Sequence, residues 1–178
     1  MVILRPTHKL HALLPPTGPT SMASDTALGD WYVNRIVVGG QPLLVLVSST
    51  SLLSVLVPAR NVRGLPDRLA TLVEARLRRC DVEMRAIEAE TDAMAPVRIY
   101  PTADRSVLGI MTDFAKSVPY HLEPGQCDET SLARVEQCLA ETPCYAGRAS
   151  EQVIFPERKA PELLRAKWLA DRPPLQPT

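Results

Sequence analysis

Apolar positions along the chain follow two rhythms. Up to Val57 they form short runs, alternating or continuous, and from Leu69 onward they recur mostly at three- and four-residue intervals. The first rhythm predicts strands and the second predicts helices. Val2-Ile-Leu4 predicts a short strand, and Thr7 is placed to cap one or two helical turns over His8 to Leu14. Trp31–Val38 and Leu43–Val47 flank Gly39-Gly40. A Gly-Gly pair between β-branched runs predicts a hairpin, because both turn positions can take positive φ. Leu43–Val47 is apolar at every position, which suits a central strand covered on both faces. A third strand of the meander is expected from Leu52 to Val57, ended by Pro58.

Helical spacing begins after Pro66, a residue suited to the first helical position. Leu69, Leu72, Val73, Leu77 and Cys80 share one stripe, and Asp81 is placed to cap a second helix carrying Val82, Ala86, Ala89 and Ala93. Val97–Tyr100 predicts a strand between two prolines. Asp104 is placed to cap a third helix, with Val107, Leu108, Met111, Phe114, Ala115 and Val118 on one face. A fourth is expected from about Asp128 to Glu141, with Leu132, Val135 and Leu139 inward. A last short helix runs from about Pro161 to Trp168. This order departs from a regular β-α-β-α alternation. It predicts an α+β fold: a mostly antiparallel sheet, with strands near 2–4, 31–38, 43–47, 52–57 and 97–100, and helices packed on at least one face.

The 178 residues fit one domain over 1–170, with a Pro/Ser/Thr/Gly loop at 15–24 and a Pro-rich tail at 171–178. The apolar share of 46% and charged share of 22% argue against general disorder. Lys plus Arg equals Asp plus Glu at 20 each, so the chain has no global attraction to nucleic acid or anionic lipid. No apolar run approaches the roughly 20 residues of a membrane helix. At the N-terminus the apolar residues precede Arg5, the reverse of a secretory signal. A cytoplasmic location with reduced thiols is therefore expected for Cys80, Cys127, Cys138 and Cys144. The cysteines form no Cys-x-x-Cys pair and lie far from His8, His11 and His121, so neither a metal nor a cofactor is expected.

No phosphate-binding Gly loop, Gly-x-Ser-x-Gly, His-Glu-x-x-His or dinucleotide fingerprint occurs. Two segments offer chemistry instead. In the first, Gly29 permits a bend, Asp30 presents a carboxylate, and Trp31 and Tyr32 bring two aromatics into a chain only 4% aromatic. It reads either as a pocket rim that stacks on a flat ligand or as the start of a strand with its aromatics in the core. In the second, Arg105 and Ser106 stand at a predicted helix start that suits an anion, with Gly109 and Asp113 further along. The alternative there is a capped core helix whose Gly109 serves packing. The candidate pocket is thus Asp30, Trp31, Tyr32, Arg105, Ser106 and Asp113. The arginines Arg60, Arg63, Arg68, Arg76, Arg78 and Arg79 would meet nucleic acid if clustered, but the interleaved Asp67 and Glu74 favour a solvated helix face. His8 and His11 are three apart with no acidic neighbour, which favours surface or capping roles over metal binding.

Four stretches in order are Met1–Leu10, Ala27-Leu-Gly-Asp-Trp-Tyr32, Leu52–Pro58 and Arg105-Ser-Val-Leu-Gly-Ile-Met-Thr-Asp-Phe114. Together they resemble a bacterial domain family of unknown function, over roughly residues 1–145. That family's pattern carries Asn at 112 and Asn-Glu in the hairpin strand, where this chain has Thr112 and Ser48-Ser49. A polar site using those side chains would be weakened here. The resemblance implies a bacterial intracellular domain and supplies no activity. With no complete acid/base or nucleophile set, a non-catalytic binding or interaction module is the leading expectation. Its partner would be a protein or a small ligand, with nucleic acid ranked lower and no membrane. The alternative is a small phosphate-directed enzyme such as a toxin-like ribonuclease, in which Asp30 acts as base and Arg105 steadies developing charge.

Overall fold

Gly39 and Gly40 take φ of 56° and 79° and turn β2 (Trp31–Val38) into β3 (Gln41–Ser48). The hairpin register runs from Trp31 opposite Ser48 to Val38 opposite Gln41. β4 (Ser54–Pro58) pairs antiparallel with β3 and completes the predicted meander. A computed structural model describes residues 1–18, 22–123, 125–145 and 153–170 of the chain. The Pro-rich tail at 171–178 and residues 19–21 of the 15–24 loop lie outside the described residues.

The expected mostly antiparallel sheet is corrected by the first strand. β1 (Val2–Pro6) pairs parallel with β2 on one side and with β5 (Val97–Ile99) on the other. The sheet is therefore mixed, in the order β4-β3-β2-β1-β5. Strand periodicity records which side chains share a face but carries no sign of direction. Direction follows from the connections, and both partners of β1 are reached through long ones.

Parallel junctions need covered faces, and both are covered. Even-numbered β1 residues Val2 and Leu4 join Trp31, Val33, Leu44 and Leu46 in a core closed by α1 (Leu65–Leu77), α2 (Met84–Ala93) and α5 (Pro156–Trp168). Tyr32, Leu43, Val45, Val47 and Leu56 face the other way, against α3 (Arg105–His121) and α4 (Glu129–Ala140). The stripe Val107, Met111, Phe114 and Val118 packs across the β2–β3 ribbon. Asp104 caps α3, accepting from the N–H groups of Ser106 and Val107, and Asp128 caps α4 through Ser131. Two short strands, β6 (Cys144–Tyr145) and β7 (Val153–Ile154), pair beside this layer. Among the described residues no helix is long and apolar enough to cross a membrane.

One buried polar junction locks the layers together. Glu90, on the apolar stripe of α2 and fully buried, accepts from the backbone N–H groups of Ala27 at 2.7 Å and Leu28 at 2.9 Å. It also accepts from Trp168 Nε1 of α5 at 2.8 Å. Beside it Gly29 holds φ +70°, and a Cβ there would meet Ser49 Oγ at 2.5 Å and Thr50 Cγ2 at 2.8 Å. Both conditions exclude larger residues. Ser48 Oγ donates to Leu28 O at 2.7 Å and accepts from Ser51 N at 3.1 Å. The segment 26–30 is thereby fixed to the β3–β4 turn.

Two buried serines on neighbouring strands separate hydrogen bonding from burial. Ser48 Oγ is fully bonded, whereas Ser54 Oγ has no hydrogen-bond partner among the described residues. Ser48→Ala is expected to cost about 1–3 kcal/mol, and Ser54→Ala to leave stability unchanged or raise it. Urea unfolding of the two variants reads the difference, and equal losses would contradict it.

Candidate functional site

A charged residue on an apolar stripe must find a partner or unfold its surroundings. α1 and α4 each carry one. Arg76 follows Val73 by three positions, and Glu136 lies between Leu132 and Leu139 at four and three. Both are almost fully buried, and they meet over the outer edge of β4. Arg76 Nε lies 3.7 Å from Glu136 Oε2 and donates to Ser54 O at 3.2 Å. Arg76 Nη2 donates to the Glu136 backbone oxygen at 3.4 Å. Arg79, one turn on, pairs with the same carboxylate from the solvent side. Glu136 Oε1 in turn accepts the N–H of Leu56 at 2.7 Å.

Outward from this ion cluster lies a cavity of about 310 Å³ between α1, α4 and the β4 edge. Its apolar walls are Leu72 and Ala75 on α1, Leu132 and Ala133 on α4, and Val57 and Pro58 on β4. Arg79 and Glu136 form its inner end, and Arg60, Arg68 and Glu129 complete the lining. Arg68 is aimed by the loop before α1: Nη2 donates to the carbonyls of Arg60 at 3.0 Å and Asn61 at 3.2 Å. Asn61 holds that loop in a left-handed conformation, its side chain accepting from Gly64 N.

Burial pushes the Glu136 carboxyl above its ordinary 4.5, and the Leu56 N–H, Arg79 and Arg76 oppose that rise without cancelling it. The Cys80 thiol, 3.4 Å from Arg76 Nη1, is likewise pushed up by burial against the pull of Arg76 and Arg79. Cys144, buried beneath α3 and α4, is pushed up to about 11 by desolvation and then by Asp113. A raised pKa keeps a thiol protonated, so neither cysteine is an activated nucleophile.

The residues singled out from sequence are placed differently. Trp31 is not on a rim; it is fully buried in the α1/α2/α5 core. Tyr32 is buried on the opposite face, because adjacent strand residues point to opposite sides. Its hydroxyl accepts the N–H of Asp104 at 2.9 Å and so meets the start of α3. Asp30 pairs with the buried guanidinium of Arg5, accepts from Ser24 Oγ at 2.6 Å, and its backbone N–H donates to Ser49 Oγ at 2.9 Å. Arg5 also donates to Pro101 O, tying Asp30 to the segment before α3. Arg105 and Ser106 are exposed in the first turn of α3, and Asp113 is exposed two turns on, 4.0 Å from Lys116. Asp30, Tyr32 and the start of α3 thus gather around Arg5, while Trp31 and Asp113 stand apart. Gly109 is exposed, with nothing within 4 Å of a built Cβ, so packing does not account for it.

The arginine stretch divides. Arg60, Arg68 and Arg79 line the cavity, Arg76 is buried behind it, and Arg78 pairs with Glu74 in the open. The His8 and His11 rings lie 5.3 Å apart, tilted at 58°, and His11 Nε2 lies 3.2 Å from Pro6 O. Among the described residues no group of three or more His, Cys, Asp or Glu could hold a metal. Of the cavity residues, sequence singles out only Arg60, Arg68 and Arg79, as part of a possible basic patch. Glu136 had a signal, a carboxylate in register with an apolar stripe; the other lining residues had none that pointed to a site.

Because the folded state holds the Glu136 proton more tightly than the unfolded chain, this group's contribution to stability is fully present below about pH 4.5. It is lost as pH rises through the raised folded value. Glu136→Gln keeps an acceptor for the Leu56 N–H and is expected to remove that decline. Urea unfolding of both proteins from about pH 4 to about pH 8 checks it, and parallel profiles would refute it.

Searches of curated proteins and of solved structures found no match to this chain. A family model does match, over residues 3–159, a span that includes all of the five-stranded sheet but Val2 and every residue of the cavity. The chain belongs to that family, described as Domain of unknown function (DUF6933).

Proposed function

We propose that residues 1–170 form a single non-catalytic binding module whose site is the cavity between α1, α4 and the outer edge of β4. One observation carries the reading. A concave space with apolar walls and a few convergent charged groups is the usual form of a small-molecule site. Here that form is backed by a buried Arg76–Glu136 pair that Arg79 joins from the solvent side. Buried ion clusters add little stability compared with apolar packing, so their presence at a cavity favours a role in the site. A small ligand suits the space better than an extended peptide. Along the outer edge of β4, Ser54 O is taken by Arg76, Leu56 N by Glu136, and Pro58 O by Arg60 N. Added strands need those groups free.

The reading as a small phosphate-directed enzyme has weaker support. It requires Asp30 as base, and that carboxylate is engaged by Arg5 and Ser24. Nucleic acid is also less favoured, since Glu129 and Glu136 stand among the cavity arginines.

Amide NMR with a library of small metabolites tests the proposal. Binders are expected to shift Leu56, Val57, Leu72 and Ala133 as a group. Ala75→Trp, a change at an exposed wall position that fills the space, is expected to abolish those shifts. A library that leaves these amides unmoved, or binding that survives Ala75→Trp, would overturn it.

A further inference from the structure

From the unequal use of the arginines at this cavity, we infer that its ligand is a small amphipathic anion, with a carboxylate or phosphate head and an apolar body. The inference rests on the cavity being a ligand site, and it adds the chemistry of the ligand. At the inner end both guanidinium groups already have an acidic partner: Arg76 and Arg79 pair with Glu136. At the outer end neither does. The Arg60 guanidinium makes no hydrogen bond or ion pair with any described residue. Arg68 spends Nε and Nη2 on the backbone carbonyls of Gly64, Arg60 and Asn61 and, among the described residues, meets no carboxylate and makes no bond through Nη1.

Two guanidinium groups on one rim, one of them oriented by three carbonyls, present planar donors of the kind that grip carboxylate and phosphate oxygens. Glu129, on the α4 side, has no cation partner among the described residues, and it repels a second negative group. A single anionic head is thereby favoured over a polyanion. Between the rim and the inner ion cluster the walls are Leu72, Ala75, Leu132 and Ala133, which solvate an apolar body and offer it no hydrogen bond. The volume lies at the low end for ligand sites and fits a small metabolite.

The test uses four probes with one tail: hexanoate, hexyl phosphate, hexanol and hexylamine, titrated by amide NMR at fixed ionic strength. At least one of the two anions is expected to bind about tenfold more tightly than hexanol, with hexylamine weakest. Comparing hexanoate with hexyl phosphate identifies which head group the rim prefers. Arg60→Gln, a change at an exposed side chain, is expected to erase the anion's advantage while leaving hexanol affinity unchanged. Arg68→Gln should do the same. Equal binding of acid and alcohol at the Leu56 and Ala133 amides would overturn the anion while leaving the binding site standing. An advantage that survives Arg60→Gln and Arg68→Gln together would overturn it as well. Silence from all four probes at those amides would overturn the anion, and the library screen with Ala75→Trp would then decide the site by itself.

Discussion

Glu136 is the constraint on which this architecture turns. A sheet edge exposes backbone groups that would otherwise recruit another strand. Here α4 delivers a carboxylate to the Leu56 N–H, and α1 delivers a guanidinium to the Ser54 carbonyl. Each charge makes the other tolerable in a buried place. The same pair fixes how far apart the two helices stand, because each reaches the edge from its own face of the sheet. The cavity is what remains between them, beyond the point where the side chains meet. Truncating the Glu136 side chain would therefore touch edge protection, helix spacing and the inner wall of the site together.

Glu90 works by a related logic on the other side. Among the described residues it meets no cation; two backbone N–H groups and an indole N–H satisfy it. Backbone donors can stabilise a buried carboxylate as effectively as an opposite charge when their geometry is fixed. This explains the unusual composition around Gly29 and Asp30. The segment is shaped to present the N–H groups of Ala27 and Leu28 to α2, and Gly29 supplies the left-handed turn that lets Ser49 come close. Its aromatics then enter the two cores in succession, Trp31 on one face and Tyr32 on the other.

Much of the fold was legible because it is local. The Gly39-Gly40 turn, the continuous apolar run of β3 and the Asp104 and Asp128 caps each depend on a few neighbouring residues. The direction of β1 was not legible, since its partners begin at Trp31 and Val97 and nothing near Val2 encodes them. Asp81 illustrates a subtler limit. Its sequence context suits a cap, yet α2 starts at Met84 and Asp81 accepts instead from Arg165 of α5 at 3.1 Å.

The candidate site follows the same division. Aromatics and glycines drew attention to residues 29–32, but rare residues are often rare because the core needs them. The more telling signal was charge out of phase with its surroundings. Arg76, Glu90 and Glu136 each fall where a helix should be apolar, and all three are buried and bonded. Sequence can show that such a residue needs a partner without saying which. Only the packing of α1 and α4 against β4 brings Arg76 to Glu136. Only that packing turns six arginines read as a solvated face into one buried ion, one exposed pair with Glu74, an exposed Arg63 away from the cavity, and three groups on the wall of that cavity.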